Sequence, residues 1–357
     1  MRKIIQFISF ALLCSWGKAF AVEQNANVYP ILSPSQEVGA FEQDIPFNGL
    51  EYKKWREHFF RKDGSKLIMN TELNQLDKQL EKESIMNFKF NPRQIFIRQT
   101  NAERMLKQAL DEIPYWNDKL KDENPEEKYL YYLQVDNYWM LIKLYYTVGE
   151  DIEKLPPLLE QLIESAEIGT KVWQENKHFL TKEAQNTPPY EWHNALNYLN
   201  TLGYISMCYL LQREDLLERL LKVIIDNSVY SELDAAIEDL FYYHLKDRPE
   251  RDWNKYIHIV KFTDAIRSKG EEQLALLHQY MKDWYKEMVG LNDIEHDTHL
   301  TKEQYGYYGY WAFEVAAVIY LEDLDDSSFR DYPYYPKDLV DWAKAKRRER
   351  ERNKKAD

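Results

Sequence analysis

The sequence predicts an all-α protein in which two lobes of antiparallel helical hairpins pack together without a substantial sheet. Only 11 glycines and 13 prolines punctuate the 357 residues, which is few for a chain that must turn between many strands. Apolar side chains recur at the helical period along most of the sequence. No segment alternates between apolar and polar residues for long enough to predict a strand.

Each predicted helix comes from an apolar stripe and from the residues that begin or end it. The predicted ranges are about 93–120, 126–148, 155–179, 192–211, 216–225, 231–245, 252–268, 274–288, 301–321 and 337–352. The segment 231–245 is predicted to begin with a cap at Ser231, three residues before Asp234, and to form a helical hairpin with 216–225 across residues 227–230. Gly290 is placed to end one helix, and Thr301 with Gln304 forms a capping box that predicts the start of the next.

The domain organisation follows from where these stripes stop. Residues 1–21 are predicted as a signal peptide, 22–92 as an N-terminal extension with helical segments, 93–180 and 190–343 as two helical domains, and 344–357 as a basic tail. The polar stretch 181–189, which contains Pro188 and Pro189, is the predicted linker between the domains.

The first 21 residues have the three parts of a secretory signal. Met1, Arg2 and Lys3 give a charged start, an apolar run follows, and Ala19-Phe20-Ala21 provides a small-residue cleavage site. The apolar run is shorter than the roughly 20 residues of a spanning helix, which disfavours a permanent membrane anchor. Lipidation at Cys14 is a further alternative, disfavoured by the leucines before it. We therefore expect a periplasmic or otherwise exported protein that begins at Val22.

The mature chain would keep one cysteine, Cys208, in an apolar run. A single cysteine excludes an internal disulfide. We predict that Cys208 is a small buried hydrophobe and not a reactive thiol.

The net charge of the chain is −13. Loss of the signal peptide would remove three basic residues and leave −16, and because the tail 344–357 holds eight basic and three acidic residues, the remaining body carries −21. Binding of nucleic acid or anionic lipid rests on neutralising phosphates with Lys and Arg, so this charge disfavours both. It favours a partner protein with a basic surface, although acidic charge that only keeps a protein soluble has the same composition.

The best candidate for a metal site is the segment from Asp293 to His299, which contains three carboxylates and two imidazoles. It lies in a predicted loop, where polar side chains collect without binding a metal, and it lacks an HExxH helix or a CxxC pair. We therefore predict no metal, no cofactor and no enzyme activity. A hydrolase or metal protein built on this segment is the alternative.

Glu314 lies within an apolar helical segment, where an ionised carboxylate is costly unless it is paired. Perturbed buried acids can be catalytic, but no nucleophile, metal motif or glycine-rich phosphate loop accompanies this one. We predict a structural salt bridge or hydrogen bond from Glu314 to a neighbouring helix. Gly306 and Gly309 are predicted to let another helix approach closely.

Four acids that follow this segment, Glu322, Asp323, Asp325 and Asp326, are the candidate contacts for a basic partner. The acidic segment from Leu324 to Asp331 could also ligate a cation, but it departs from a calcium-binding loop because the glycine and the distal glutamate are missing. An alternative for Asp326 or Ser327 is to cap a short helical turn after Leu324.

Three unusual segments, 308–317, 324–331 and 335–343, follow one another at close spacing near the C-terminus. Over these residues the chain resembles the PoNi family, the immunity proteins of polymorphic nuclease toxins, which are often associated with type VI secretion. The residues that carry the resemblance, expected to be structural, are Tyr310, Trp311, Glu314, Asp326, Arg330, Asp331, Tyr335, Pro336 and Asp338. The resemblance is weaker from Gln94 to Glu250, and residues 22–90 lie outside it.

The resemblance implies an all-α protein that binds a cognate DNase-type toxin and blocks it. The signal peptide departs from this pattern, because a nuclease acts on cytoplasmic DNA. Three explanations stay open: interception of an incoming toxin in the periplasm, a toxin with an envelope target, or a family scaffold with another function. An exported helical scaffold or adaptor without toxin-neutralising activity is therefore the alternative function.

Overall fold

The computed structural model describes residues 90–289, 297–301 and 304–356, together with the backbone of Tyr29–Pro30. Within these ranges it contains twelve α-helices, and the all-α prediction is confirmed. Their bounds are α1 Gln99–Lys119, α2 Pro125–Tyr129, α3 Leu133–Val148, α4 Leu155–Asn176, α5 Lys182–Asn186, α6 Ala195–Leu210, α7 Leu217–Asp226, α8 Ala235–Tyr242, α9 Val260–Arg267, α10 Gly270–Glu287, α11 Phe313–Leu321 and α12 Lys337–Ala356. The predicted signal peptide and nearly all of the predicted N-terminal extension lie outside the described residues.

The innermost helices are α3 and α11. Every residue from Phe313 to Tyr320 is buried, as expected for a helix that is apolar on all sides. Helices α1 and α4 pack against α3, while α6 and α12 pack against α11, and α9 packs against α10. One continuous hydrophobic core extends from Phe96 to Ala343. The two predicted lobes therefore share a core, and their division into two domains stays a prediction.

A close approach between α3 and α6 joins the predicted lobes. A Cβ at Gly203 would lie 2.6 Å from Trp139 Cζ2, so only glycine lets the indole ring lie this close to α6. Trp139 Nε1 also donates a hydrogen bond to Asn200 Oδ1 at 2.8 Å. The two helices are thus held by packing and by a buried polar contact at the same place.

The helix predicted from Thr301 is wrong over the described residues 301 and 304–312, since α11 begins at Phe313. The backbone is left-handed at Gln304, Gly306 and Gly309, with φ of 48°, 81° and 105°, which interrupts a helix. A Cβ at Gly309 would collide with Thr147 Oγ1. Both glycines therefore lie in turns and not on a helix surface. The close approach of another helix predicted for them is present at Gly309, where Thr147 belongs to α3.

The helix predicted over 252–268 is wrong over its first residues, since α9 begins at Val260. Instead, Trp253–Asn254 forms the short strand β2, which pairs antiparallel with β1, Tyr29–Pro30. The extended backbone is held by Asp234, whose Oδ2 accepts a hydrogen bond from Lys255 N at 3.0 Å. This long-range contact outweighs the local helical pattern.

The predicted hairpin of 216–225 and 231–245 is also modified, and the cap predicted at Ser231 is wrong, since α8 begins at Ala235 with Asp234 as its N-cap. Helix α7 packs mainly against α4, whereas α8 packs against α6 and α9. Asp234 caps α8 by accepting a hydrogen bond from Ile237 N at 3.1 Å, and it accepts another from the Tyr198 hydroxyl of α6 at 2.7 Å. The capping residue thus fixes α8 against α6.

Cys208 is fully buried in the shared core, and burial raises the pKa of its thiol. It is therefore a buried hydrophobe, as predicted. Among the helices of the described residues, none is both long and apolar enough to cross a bilayer.

Candidate partner-binding surface

The C-terminal residues 308–343, which carry the family resemblance, are anchored by Gln94, a buried residue near the other end of the described chain. Gln94 Oε1 accepts hydrogen bonds from the Tyr307 hydroxyl at 2.6 Å and from Tyr310 N at 3.0 Å. Next to it, Trp311 Nε1 donates to Thr147 Oγ1 of α3 at 2.8 Å. These contacts place Tyr310 and Trp311 inside the molecule, where they hold the turn before α11.

A second anchor joins α3 to the start of α12. Arg93 donates from Nη1 to the Tyr146 carbonyl at 2.8 Å, where it helps to satisfy the last carbonyls of α3, and from Nε to Asp338 Oδ2 at 3.2 Å. Asp331 and Lys337 form an ion pair of 3.1 Å beside it, on the surface. Asp338 therefore positions the first turn of α12.

A third anchor is a polar network between the turn after α11 and α12. The buried Asp326 accepts hydrogen bonds from Arg330 Nη1 at 2.7 Å and from the Tyr335 hydroxyl at 2.9 Å. Arg330 also pairs with Asp341 of α12. Pro336 is buried at the residue before α12. The polar side chains of this network fix the turn between α11 and α12 through contacts within the chain.

Glu314 is buried in the first turn of α11, facing α10. Its Oε1 accepts hydrogen bonds from Trp284 Nε1 at 2.6 Å and from the Tyr280 hydroxyl at 3.0 Å. Burial raises the pKa of Glu314 to about 7, against the hydrogen bonds, which lower it. Both donors are uncharged, so the predicted contact of Glu314 with a neighbouring helix consists of two hydrogen bonds and is not a salt bridge.

The four acids predicted to contact a partner do not form one free patch. Glu322 accepts a hydrogen bond from Lys269 Nζ at 2.7 Å and is mostly buried. Asp323 is exposed and pairs with Lys344 Nζ at 3.0 Å, which lowers its pKa. The fourth acid is the buried hub described above. Asp325 alone among the four is both exposed and without an ion pair in the described part of the chain.

The predicted basic tail continues α12 as far as Ala356 and lies against acidic side chains of the body. Lys346 Nζ pairs with Glu153 at 2.5 Å, and Arg350 Nη2 lies 4.0 Å from Glu214. Arg347 donates to the Tyr320 carbonyl at the end of α11. Part of the positive charge of the tail is therefore balanced within the molecule.

The segment from Glu214 to Glu250, which contains α7 and α8, is strongly acidic. It holds ten acidic and four basic residues, for a net charge of −6. Seven of the acids form ion pairs: Glu214, Asp215, Asp226, Glu232, Glu238, Asp239 and Glu250. The buried Asp234 serves as the cap of α8. Glu218 and Asp247 remain, and neither has an ion pair among the described residues.

A shallow groove lies between these last two acids. Its cavity volume is about 290 Å³, and it is lined by Glu218, Leu221, Lys222, Ile225, Leu245 and Asp247. Lys222 pairs with Asp226 at 2.5 Å, so the unbalanced charge of the groove is negative. Its walls are α7 and the turn after α8, and Ile225 stands half exposed in it.

The groove was not predicted from the sequence, although a signal for it exists. The apolar stripe of α7 is wide: Leu217, Leu220 and Ile224 are buried in the core, Leu221 packs against it and is partly buried, and Ile225 is exposed. An apolar stripe that continues beyond the core contact, as it does at Ile225, predicts a second apolar contact.

The predicted alternative of a metal site falls partly outside the described residues, which do not include Asp293, Glu295 and His296. His299 is described, and it is buried with Nδ1 3.0 Å from the Tyr310 hydroxyl. Within the described ranges, no group of three or more His, Cys, Asp or Glu side chains is arranged to hold a metal ion.

Comparison with known proteins adds a family and a fold. Residues 232–339 match the family described as PoNe immunity proteins (PoNi), C-terminal, which confirms the family resemblance predicted from the sequence. A search of the curated proteins gives no match. Among solved structures, the chain is similar to protein PA2201 from Pseudomonas aeruginosa, with a TM-score of 0.55 and 17% identity over 78% of this chain and 99% of that chain. At this identity the likeness shows the fold alone.

Proposed function

We propose that this chain, a member of the PoNe immunity protein (PoNi) family through residues 232–339, binds a cognate nuclease toxin and neutralises it by protein contact. The family match is the observation that carries the proposal. An immunity protein acts by occupying its toxin, so the proposal assigns the chain no catalytic step, metal or cofactor.

The acidic body supports a toxin with a basic surface as the partner. A nuclease must hold the phosphates of its substrate with Lys and Arg. A body that carries −21 between residues 22 and 343 would attract such a surface and repel nucleic acid. Charge also speeds diffusional encounter, which matters for a protein that must intercept a toxin before it acts.

The place of action is also part of the proposal. The signal peptide predicted over residues 1–21 would deliver the chain, beginning at Val22, to the periplasm, where it would meet a toxin delivered by a type VI secretion system. N-terminal sequencing of the protein from cell fractions tests this step. Recovery of cytoplasmic protein that retains Met1 would contradict export.

Binding and protection test the function itself. The toxin encoded next to the gene of this chain is expressed with and without the chain, and growth is measured. Association of a catalytically inactive form of that toxin is then measured at about 0.1 M and about 1 M salt, where the Debye length is ~10 Å and ~3 Å. We expect protection, and an association rate that falls steeply with salt.

The outcomes separate the parts of the proposal. Failure to bind or protect at any salt would overturn the immunity function and favour an exported scaffold. Tight binding with a salt-independent rate would retain immunity but contradict electrostatic steering.

A further inference from the structure

We propose that the groove between α7 and the turn after α8 is the docking site for a cationic segment of the toxin that carries an apolar anchor. This inference rests on the proposed function and names the surface that performs it. Three features of the described residues carry it: an apolar floor, two carboxylates without ion pairs, and a charge that selects the occupant.

The apolar floor is only partly covered by the core. Ile225, in the last turn of α7, is 48% exposed and does not belong to the core, whereas Leu221, one turn before it, packs against the core and is only partly buried. Leu245 faces them from beyond α8, and Tyr242, three residues earlier, is half exposed. Exposed apolar side chains rimmed by charged residues are typical of protein interaction sites.

The carboxylates at the rim differ from their neighbours. Between Glu214 and Glu250, every acid except Glu218 and Asp247 is ion-paired or, like Asp234, buried with hydrogen bonds. Glu218 gains from its place in the first turn of α7, where the helix dipole favours a negative charge, but Asp247 lies outside any helix. Two unbalanced acids therefore flank one apolar groove.

This charge decides between the candidate occupants. A second copy of the chain would bring a net charge of −13, or −16 after loss of the predicted signal peptide, to a negative groove, and like charges across an interface are unfavourable. A toxin segment with Lys or Arg beside an aliphatic or aromatic side chain would bury its apolar part against Ile225 and place its cations near Glu218 and Asp247. Such anchors, desolvated at the centre of a contact, dominate binding energy.

The experiment alters the floor and the rim separately. Ile225→Ser should raise the Kd for the inactive neighbouring toxin about tenfold or more, because a buried isoleucine loses its apolar contact. The double variant Glu218→Lys with Asp247→Lys should lower the association rate by at least about tenfold. Circular dichroism and the melting temperature verify that each variant is folded.

Matched controls remove general effects. Ile257→Ser changes an isoleucine of equal exposure, 45%, that does not line the groove. Glu271→Lys with Glu272→Lys makes the same change in net charge at two exposed acids in the first turn of α10. We expect each control to change Kd and association rate by no more than about twofold. Equal effects in the groove and control variants would overturn the docking site and leave the proposed function intact.

A defined peptide tests the groove without the toxin. The probe is a synthetic helical peptide with Leu on one face and Lys on the other, compared with versions that replace Leu by Ser or Lys by Glu. The unaltered chain should bind the Leu and Lys peptide most tightly, and Ile225→Ser should weaken that binding while Ile257→Ser should not.

The two tests fail in different ways. If the toxin does not bind the unaltered chain, the proposed function is overturned, and selective peptide binding alone then decides whether the groove accepts a cationic apolar segment. Sedimentation that shows self-association, lost in Ile225→Ser, would assign the groove to a second copy and overturn the proposal.

Discussion

The buried Glu314 predicts a stability that falls as the pH rises through the neutral range. Burial raises the pKa of its carboxyl from 4.5 to about 7 in the folded protein. Between these values the folded state keeps the proton while the unfolded state has lost it. The unfolded state then binds fewer protons, so the free energy of unfolding decreases as pH rises. The stabilising contribution is complete below pH 4.5 and is lost above pH 7.

The magnitude follows from the size of the shift. A difference of one unit in pKa corresponds to about 1.4 kcal/mol, so a shift from 4.5 to about 7 corresponds to about 3 kcal/mol. Most of this change falls between pH 5 and pH 8. Trp284 and Tyr280 soften the cost of the ionised form by donating hydrogen bonds, but they carry no positive charge to balance it.

The perturbation that isolates this effect is Glu314→Gln. The amide oxygen can accept from the same two donors, and the side chain stays neutral at every pH. Other acids, such as the buried Asp234 and the partly buried Asp264, whose pKa values are raised to about 6 by desolvation, titrate equally in both proteins. Their contribution therefore cancels when the two are compared.

The assay is urea unfolding at pH 5 and pH 8, followed by tryptophan fluorescence and circular dichroism. Between these two pH values the wild type should lose about 2 to 3 kcal/mol of stability relative to Glu314→Gln. Glu183→Gln, at an exposed position of α5, should show no such difference from the wild type. Parallel pH profiles for wild type and Glu314→Gln would refute the reasoning.

Further predictions concern packing and are tested by urea unfolding. Gly309→Ala should lower the free energy of unfolding by more than about 2 kcal/mol, because the alanine would be strained in the left-handed conformation and its Cβ would collide with Thr147. Gly270→Ala should lower it by only about 1 kcal/mol, because φ there is 66° but the space around a Cβ is open. Trp311→Ala should cost about 3–5 kcal/mol while its remaining folded fraction binds toxin with unchanged Kd. Glu238→Ala should cost about 3 kcal/mol, because it leaves the guanidinium at position 248 partly buried and unpaired.

The sequence predicts most helices because their apolar stripes report the core directly. Helices α4, α6 and α10 fall within a few residues of their predicted ranges, since their buried faces follow the helical period. The wrong start at Thr301 has a different origin. Gln304, predicted to complete a capping box with Thr301, instead donates a hydrogen bond to the His299 carbonyl at 3.0 Å. The turn that follows Gln304 is held by Gln94, which accepts a hydrogen bond from Tyr310 N. A partner more than 200 positions away in the sequence leaves no mark in a local pattern.

The candidate surface shows the same division. A cluster of acids is visible in the sequence, but the partners that neutralise them are not. Glu322 forms an ion pair with Lys269, and Asp323 forms one with Lys344. Tertiary folding brings these partners together, so their spacing in the sequence does not predict the pairs. Glu218 and Asp247 of the groove differ from the other acids between Glu214 and Glu250 because neither has an ion pair among the described residues. The sequence alone does not reveal this difference.

Net charge and binding surface are therefore separate properties of this chain. In the proposed function, the charge of the whole body acts at long range: it would speed encounter with a basic toxin, and this effect would weaken as salt shortens the Debye length. Docking depends on short-range contacts. An acid that is already paired with an internal lysine or arginine contributes little there, because its charge is largely balanced within the chain. Among the described residues, Glu218 and Asp247 have no ion pair beside the exposed Ile225. On our proposal the groove would therefore act at both distances: its carboxylates would add to the attraction that brings the toxin close, and Ile225 would provide an apolar contact that salt does not screen.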